Sequence, residues 1–388
     1  MYKLNSIKVS NFRSFAKEQK IEFNTNITAV YGANASGKSN ISRSLNFMFW
    51  FMSNSSSANI SKIPFEPFLL RKDNTNPTSL EIEFSSNKKT LRYGFSFKSD
   101  KIISEKLVDL SSQKEKIIFS RTGQKINNSS TAKKYSFTKS LLEKTRQTTL
   151  LITKAREDNN QYANIVFDFI DNIGVFSSNN PNLRQSSIKI LNERPKLKEK
   201  VLSFLRSADL WIRDFTIDEI DTPDEIIKSL PIADELKEGF KKSTLITTRH
   251  SVRGEKNEIV EYTNFSLDDQ ESTGTSIIFD LAPLIVASVE DGTPLYIDEF
   301  GIHLHSDICS YILKYFKENS RSQLIINTHD TSLMNELSRE EIILVEKNQA
   351  EESLISRLSD YSPRKDAPIE KHYRKGLYGA RPFLKEIK

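Results

Sequence analysis

The chain has 388 residues, enough for two or three compact units, and its 56 basic and 51 acidic side chains leave a formal charge of +5. That mild excess permits nucleic-acid contact without requiring it, since a salt-paired surface has the same balance. A single cysteine, Cys309, excludes an internal disulfide and a cysteine zinc cluster; residues 1–6 lack the apolar core of a secretion signal, and no run reads as a membrane span, so a reduced, cytoplasmic, membrane-free setting is expected.

In chain order, Ile7 and Val9 lead into Asn11-Phe12-Arg13-Ser14-Phe15, then Ile21 and Phe23, the pattern of a hairpin carrying a basic turn. Arg13 is either a nucleotide contact or an ordinary surface side chain on that turn. Residues 27–31 read as a buried strand feeding Gly32-Ala33-Asn34-Ala35-Ser36-Gly37-Lys38-Ser39, which fits the phosphate-loop pattern G-x-x-x-x-G-K-[ST] at every fixed position. Gly32 and Gly37 allow the backbone to wrap closely around polyphosphate, so that Asn34, Ala35, Ser36 and, beyond the loop, Asn40 belong to the candidate nucleotide cradle. Lys38 supplies an ammonium for the β and γ oxygens, and Ser39 offers a hydroxyl to Mg²⁺ at the start of a helix. Ile41, Leu45, Met48, Phe49 and Met52 recur at helical spacing behind it.

Residues 53–62 are rich in Ser and Asn and read as a loop before Phe65-Glu66-Pro67-Phe68. Alternating runs at 80–84 and 91–97, with a turn near 87–89, predict an antiparallel hairpin, and a third strand is expected at 116–119. Residues 125–240 carry polar linkers and helix-period segments at 138–150, 162–173 and 196–208, read as a helical insertion without sustained heptads. Strand character returns at 243–248 and 259–262.

Leu295-Tyr296-Ile297-Asp298-Glu299 is an apolar run ending in two carboxylates, as expected of a buried parallel strand whose end meets a phosphate site. Asp298 is the second candidate Mg²⁺ anchor beside Ser39, and Glu299 is placed to orient or deprotonate an attacking water. Glu271-Ser272-Thr273-Gly274-Thr275 precedes a helical run at 276–290, where Ser272 and Gly274 form either an anion site or a plain helix cap. Residues 323–328 read as another buried strand ending at His329, either a structural histidine or a neutral imidazole placed to hydrogen-bond a γ-phosphate. His303 and His305 lie two apart without a nearby third ligand, and no metal is expected there.

The order of these motifs resembles the ABC-type ATPase heads of the SMC, RecF and OLD-nuclease group. The resemblance implies an α/β P-loop NTPase head, with a mixed β-sheet core and an antiparallel β subdomain, built from residues 1–124 and 241–388 around the 125–240 insertion. It gives Ser272 and Gly274 the signature role, Asp298-Glu299 that of Walker B, residues 300–306 that of the D-loop and His329 that of the switch histidine. Residues 65–68, 271–275 and a tail reading Arg364-Lys365-Asp366, then Tyr373-Arg374-Lys375-Gly376-Leu377-Tyr378-Gly379-Ala380-Arg381-Pro382, narrow it toward RloA-like (AbiL-type) ATPases of bacterial phage-defence operons.

That likeness implies ATP and Mg²⁺ as cofactors and ATP hydrolysis by Lys38, Glu299 and His329. It also implies an ATP-dependent homodimer or higher oligomer, in which one copy's Ser272 and Gly274 cap the other's nucleotide, and a separate RloB-like, nuclease or toxin effector. A RecF-like repair clamp that binds DNA across the head dimer is the alternative. Two departures stand out: the signature is Glu-Ser-Thr-Gly-Thr and not Leu-Ser-Gly-Gly-Gln, and no Q-loop glutamine is evident.

Overall fold

The structure, a computed structural model, describes residues 2–381 apart from 73, 88, 179, 181, 223–226, 228–241, 320, 365 and 366. Lys365, Asp366 and Pro382 of the tail pattern, and most of 223–240, lie outside the described residues. Two compact units emerge: Met1–Ser178 with Ser288–Gly301 and Cys309–Lys388, and Asn179–Ala287 with Ile302–Ile308.

The first unit holds two sheets. Strands β1 (Tyr2–Ser10), β2 (Gln19–Glu22), β4 (Thr78–Ser86), β5 (Lys89–Lys98), β6 (Lys101–Asp109), β7 (Lys116–Thr122) and β8 (Lys125–Ile126) form an antiparallel sheet in the order β2-β1-β4-β5-β6-β7-β8. In β4 buried and half-buried residues alternate strictly, the signature of a sheet with only one face in the core. The other sheet contains β3 (Ile27–Gly32), β9 (Gly174–Ser177), β13 (Pro294–Phe300), β14 (Gln323–Thr328), β15 (Ile342–Lys347) and β16 (Ser353–Arg357). Its order is β16-β15-β3-β14-β13-β9, all parallel except the edge strand β16. Every residue of β3 and β14 is buried, as continuous apolar runs in a parallel sheet require.

Helix α1 (Lys38–Asn54) is apolar on more than one side because it packs against both sheets. Phe47 stacks on Phe97 and Phe51 lies tilted against Phe95 of β5, while the same helix touches β3, β9 and β13. One continuous core therefore joins α1 to both sheets.

The expected helical insertion at 125–240 is corrected by the structure. Residues 125–178 stay within the first unit: after β8 come α2 (Ser129–Lys134), α3 (Lys139–Glu143), α4 (Leu151–Glu157) and α5 (Gln161–Asp171). Strand β9 then joins the parallel sheet beside β13, pairing Ser177 with Asp298. Its four half-buried residues are too short a run to announce a strand by periodicity, and pairing supplies the rest. The third strand is likewise β6, with 116–119 belonging to the fourth member of the hairpin series, β7.

The second unit contains α6 (Asn182–Glu193), α7 (Leu197–Ser207) and an antiparallel sheet of β10 (Asp214–Asp221), β11 (Lys242–Arg253) and β12 (Ile259–Ser266). Phe215 meets Phe279 edge-on at 4.9 Å, and Arg184 Nε donates to Asp280 at 2.9 Å. Helix α8 (Thr273–Asp291) is long and apolar enough to cross a membrane by length and composition alone. Reading the sequence alone does not single it out, because Asp280 and Pro283 interrupt it; 56% of its span is buried, as in a core helix.

Candidate functional site

Parallel strands present their carboxyl ends on one edge of a sheet, and here four of them frame a single cleft of about 440 Å³. The phosphate loop leaves β3, with Ala35 at φ 60° and Gly37 at φ 108° delivering the chain into α1. Neighbouring strands add a reason for the glycines beyond access to phosphate. A Cβ on Gly32 would lie 2.2 Å from the Val345 carbonyl oxygen, and one on Gly37 would lie 2.2 Å from Ser353 Oγ.

Lys38 folds back over its own loop, donating to the Gly32 oxygen at 2.8 Å and the Ala33 oxygen at 3.1 Å. Burial lowers its pKa to about 8, against the opposing pull of Asp298 and Glu299. Ser36 Oγ is buried and has no hydrogen-bond partner among the described residues, so it is a donor available to an oxyanion in the cleft.

Asp298 is the most tightly held group. Its Oδ1 accepts from Ser39 Oγ at 3.2 Å, Asn327 Nδ2 at 2.8 Å and the Glu299 N–H at 3.1 Å; its Oδ2 accepts from Ser42 Oγ at 2.7 Å. Asn327 Nδ2 also donates to the Lys38 carbonyl at 3.1 Å, and its Oδ1 accepts from Tyr296 at 2.8 Å. One buried amide thus ties β13, β14 and the start of α1 together. Ser39 Oγ and the Asp298 carboxylate are adjacent hard oxygen donors, a set suited to Mg²⁺.

Two successive strand residues normally face opposite sides. Between Ile297 and Phe300 the β13–β14 register shifts, and Glu299 takes φ 59°, so both carboxylates border the cleft. A non-glycine residue in the left-handed region is strained, and such strain concentrates at functional positions. His329, just past β14, borders the same cleft. Burial and the Lys38 charge lower its pKa, partly offset by Asp298, which favours the neutral imidazole at neutral pH.

Residues 27–335 match the protein family described as "AAA domain, putative AbiEii toxin, Type IV TA system". The chain belongs to this family. No curated protein matches it. Among solved structures it is similar to an SMC head domain from Thermotoga maritima, with 16% identity, coverage of 92% of this chain and 98% of that one, and a TM-score of 0.46. An SMC head bound to the C-terminal winged-helix domain of ScpA matches with 14% identity, 92% and 99% coverage, and a TM-score of 0.48. A Pyrococcus furiosus SMC head with an extended coiled coil, bound to the C-terminal domain of ScpA, matches with 13% identity, 96% and 100% coverage, and a TM-score of 0.41. Sheet order, phosphate loop and family together make this AAA-family chain a mixed α/β P-loop fold.

The cleft brings together Asn34, Ala35, Ser36, Gly37, Lys38, Ser39, Asn40, Asp298, Glu299 and His329. Arg13 is a correction: its Nε pairs with Glu66 at 2.5 Å, and Ser14 borders the cleft in its place. Asn11 and Arg13 both take positive φ at this turn. Ser272 and Gly274 belong to the second unit, where Ser272 Oγ accepts from the Thr275 N–H at 3.1 Å and caps α8. Glu271 beside it accepts from Thr248 Oγ1 at 2.6 Å and pairs with His250 at 2.7 Å.

Sequence reading missed Ser14, Arg43, Asn327 and Lys347, which also line the cleft. Arg43 was findable, since it stands one helical turn beyond Ser39. Asn327 and Lys347 gave no signal, because their place depends on strands β14 and β15 flanking β3, and strand order is not written in local pattern.

Proposed function

We propose that this chain is a Mg²⁺-dependent ATP hydrolase that dimerises around ATP and governs a separate effector in bacterial anti-phage defence. The observation that carries the reading is the convergence of Lys38, Ser39, Asp298, Glu299 and His329 on one cleft. Lys38 leaves the Gly32 and Ala33 carbonyls to meet the phosphates, and Ser36 Oγ joins the loop N–H groups there. Ser39 and Asp298 hold Mg²⁺, which neutralises phosphate charge when bound. Glu299 orients and deprotonates the attacking water, and neutral His329 hydrogen-bonds the γ-phosphate.

Ser272 and Gly274 of a second copy close over that phosphate, so ATP joins the two heads and its cleavage separates them. The family description names a toxin and a toxin–antitoxin system, which supports a self-limiting role in bacterial defence with an RloB-like or nuclease-like effector in the cytoplasm. Replacing Glu299 by Gln should trap an ATP-bound dimer, read by size-exclusion chromatography with ATP and Mg²⁺. A monomer under those conditions counts against the sandwich. Tight, steeply salt-dependent DNA binding without a protein partner would instead favour the RecF-like clamp.

A further inference from the structure

Residues 367–381 stand outside the cleft, yet they fasten onto the segments that leave its floor. Helix α9 (Ile369–Arg374) lies along the turn after His329. Arg374 donates through Nε and Nη2 to Thr331 Oγ1 at 3.1 and 3.0 Å. Thr331 donates to Glu370 Oε1 at 3.3 Å, and Asn335 Nδ2 donates to Glu370 Oε2 at 2.6 Å. Thr331 is two residues beyond His329. Between them Asp330 is held from the other side, its carbonyl accepting from Tyr31 of β3 at 3.2 Å, and the Tyr31 ring lies 6.1 Å from that of Tyr373.

The far end of the same segment is clipped to β15. The Ala380 N–H donates to Glu346 Oε2 at 3.1 Å, one residue before Lys347 of the cleft lining. Gly379 has φ 68°, and a Cβ there would lie 2.5 Å from that oxygen. Tyr373 and Tyr378 are buried, and Tyr373 donates to the Ala380 carbonyl at 3.0 Å, which closes the segment on itself. Both donors to Thr331 belong to the one Arg374 guanidinium, which also pairs with Glu370 at 2.8 Å, an exposed ion pair that adds little stability by itself.

We propose that this strap sets the switch histidine: Glu370 and Arg374 fix Thr331, and through it the turn that aims His329, as positioning residues for the ATP hydrolysis proposed above. The inference rests on that reading, and the experiment separates the two. In the full-length chain with ATP and Mg²⁺, Thr331→Val and Arg374→Ala lower kcat about tenfold while KM stays within about twofold, since nucleotide binding belongs to the phosphate loop. Thr331→Ser, which keeps the hydroxyl, restores kcat. Gly379→Ala, which opens the clip at Glu346, lowers kcat in the same way from the opposite end.

An unchanged kcat in both Thr331→Val and Arg374→Ala, or a Thr331→Ser variant as slow as Thr331→Val, overturns the strap. If the unmodified chain turns over no faster than Lys38→Ala, the hydrolase reading falls instead. The strap is then read by NMR of the His329 imidazole, assigned among the five histidines by His329→Gln. Its resonances shift in Thr331→Val and return in Thr331→Ser, and an unmoved His329 overturns the strap on that readout too.

Discussion

Lys38 gives the cleft a pH signature. With the cleft as described, its ammonium is buried against two loop carbonyls and its pKa falls to about 8. Triphosphate oxygens favour the charged form, so the pKa in the complex lies higher than in the free chain. Between those two values, binding must take up a proton. From pH 7 upward, ATP affinity is therefore flat to about pH 8 and weakens above it by up to about tenfold per pH unit. Fluorescence titration of an ATP analogue from pH 7 to 10 checks this, and Lys38→Ala should bind at least about a hundredfold more weakly with no such slope. The motif identified this lysine from sequence. Its depressed pKa came from packing, as did the role of Asn327, whose three hydrogen bonds join segments far apart in the chain.

Among the elements, the phosphate loop and the end of β13 behave differently. The loop was legible because its residue types are nearly invariant requirements of its geometry. Gly37 combines φ 108° with a Cβ position 2.2 Å from Ser353 Oγ. Gly37→Ala should therefore cost about 1–3 kcal/mol in a denaturant titration and weaken ATP-analogue binding in the same protein. The carboxylate pair on β13 was visible as a pair, but its shared orientation was not. A strand alternates, and only the register shift with Glu299 in the left-handed region puts both acids on one cleft. Helical segments at 161–171 and 197–207 fell close to where periodicity placed them, while β9, between them in sequence, went unseen because its identity lies in the strand it pairs with.

Across the whole first unit, the most consequential buried charge lies outside the cleft. Glu105 and Arg121 are both fully buried, with Arg121 Nε donating to Glu105 Oε2 at 2.8 Å. Glu105 also accepts from Tyr93 and from the Leu151 and Ile152 N–H groups at the start of α4. Arg121 donates onward to the Thr149 carbonyl at 2.7 Å. Removing one partner leaves an unpaired charge in the core, so Arg121→Ala should lower unfolding free energy by about 3–5 kcal/mol in urea. ATP-analogue affinity of the remaining folded fraction should be unchanged, because the network stitches β6 and β7 to α4 and touches no group of the cleft.

By itself the sequence determined the phosphate loop, the acids ending an apolar strand, the histidine ending another, and the alternating strands of the antiparallel sheet, since each follows from local geometry within a few residues. Only the tertiary structure decided the rest: which strands flank β3, that Ser14 and not Arg13 borders the cleft, that 125–178 belong with the first unit, and that the tail binds the turn after His329. Those outcomes depend on contacts between segments tens to hundreds of residues apart, where pairing and burial outweigh any local preference.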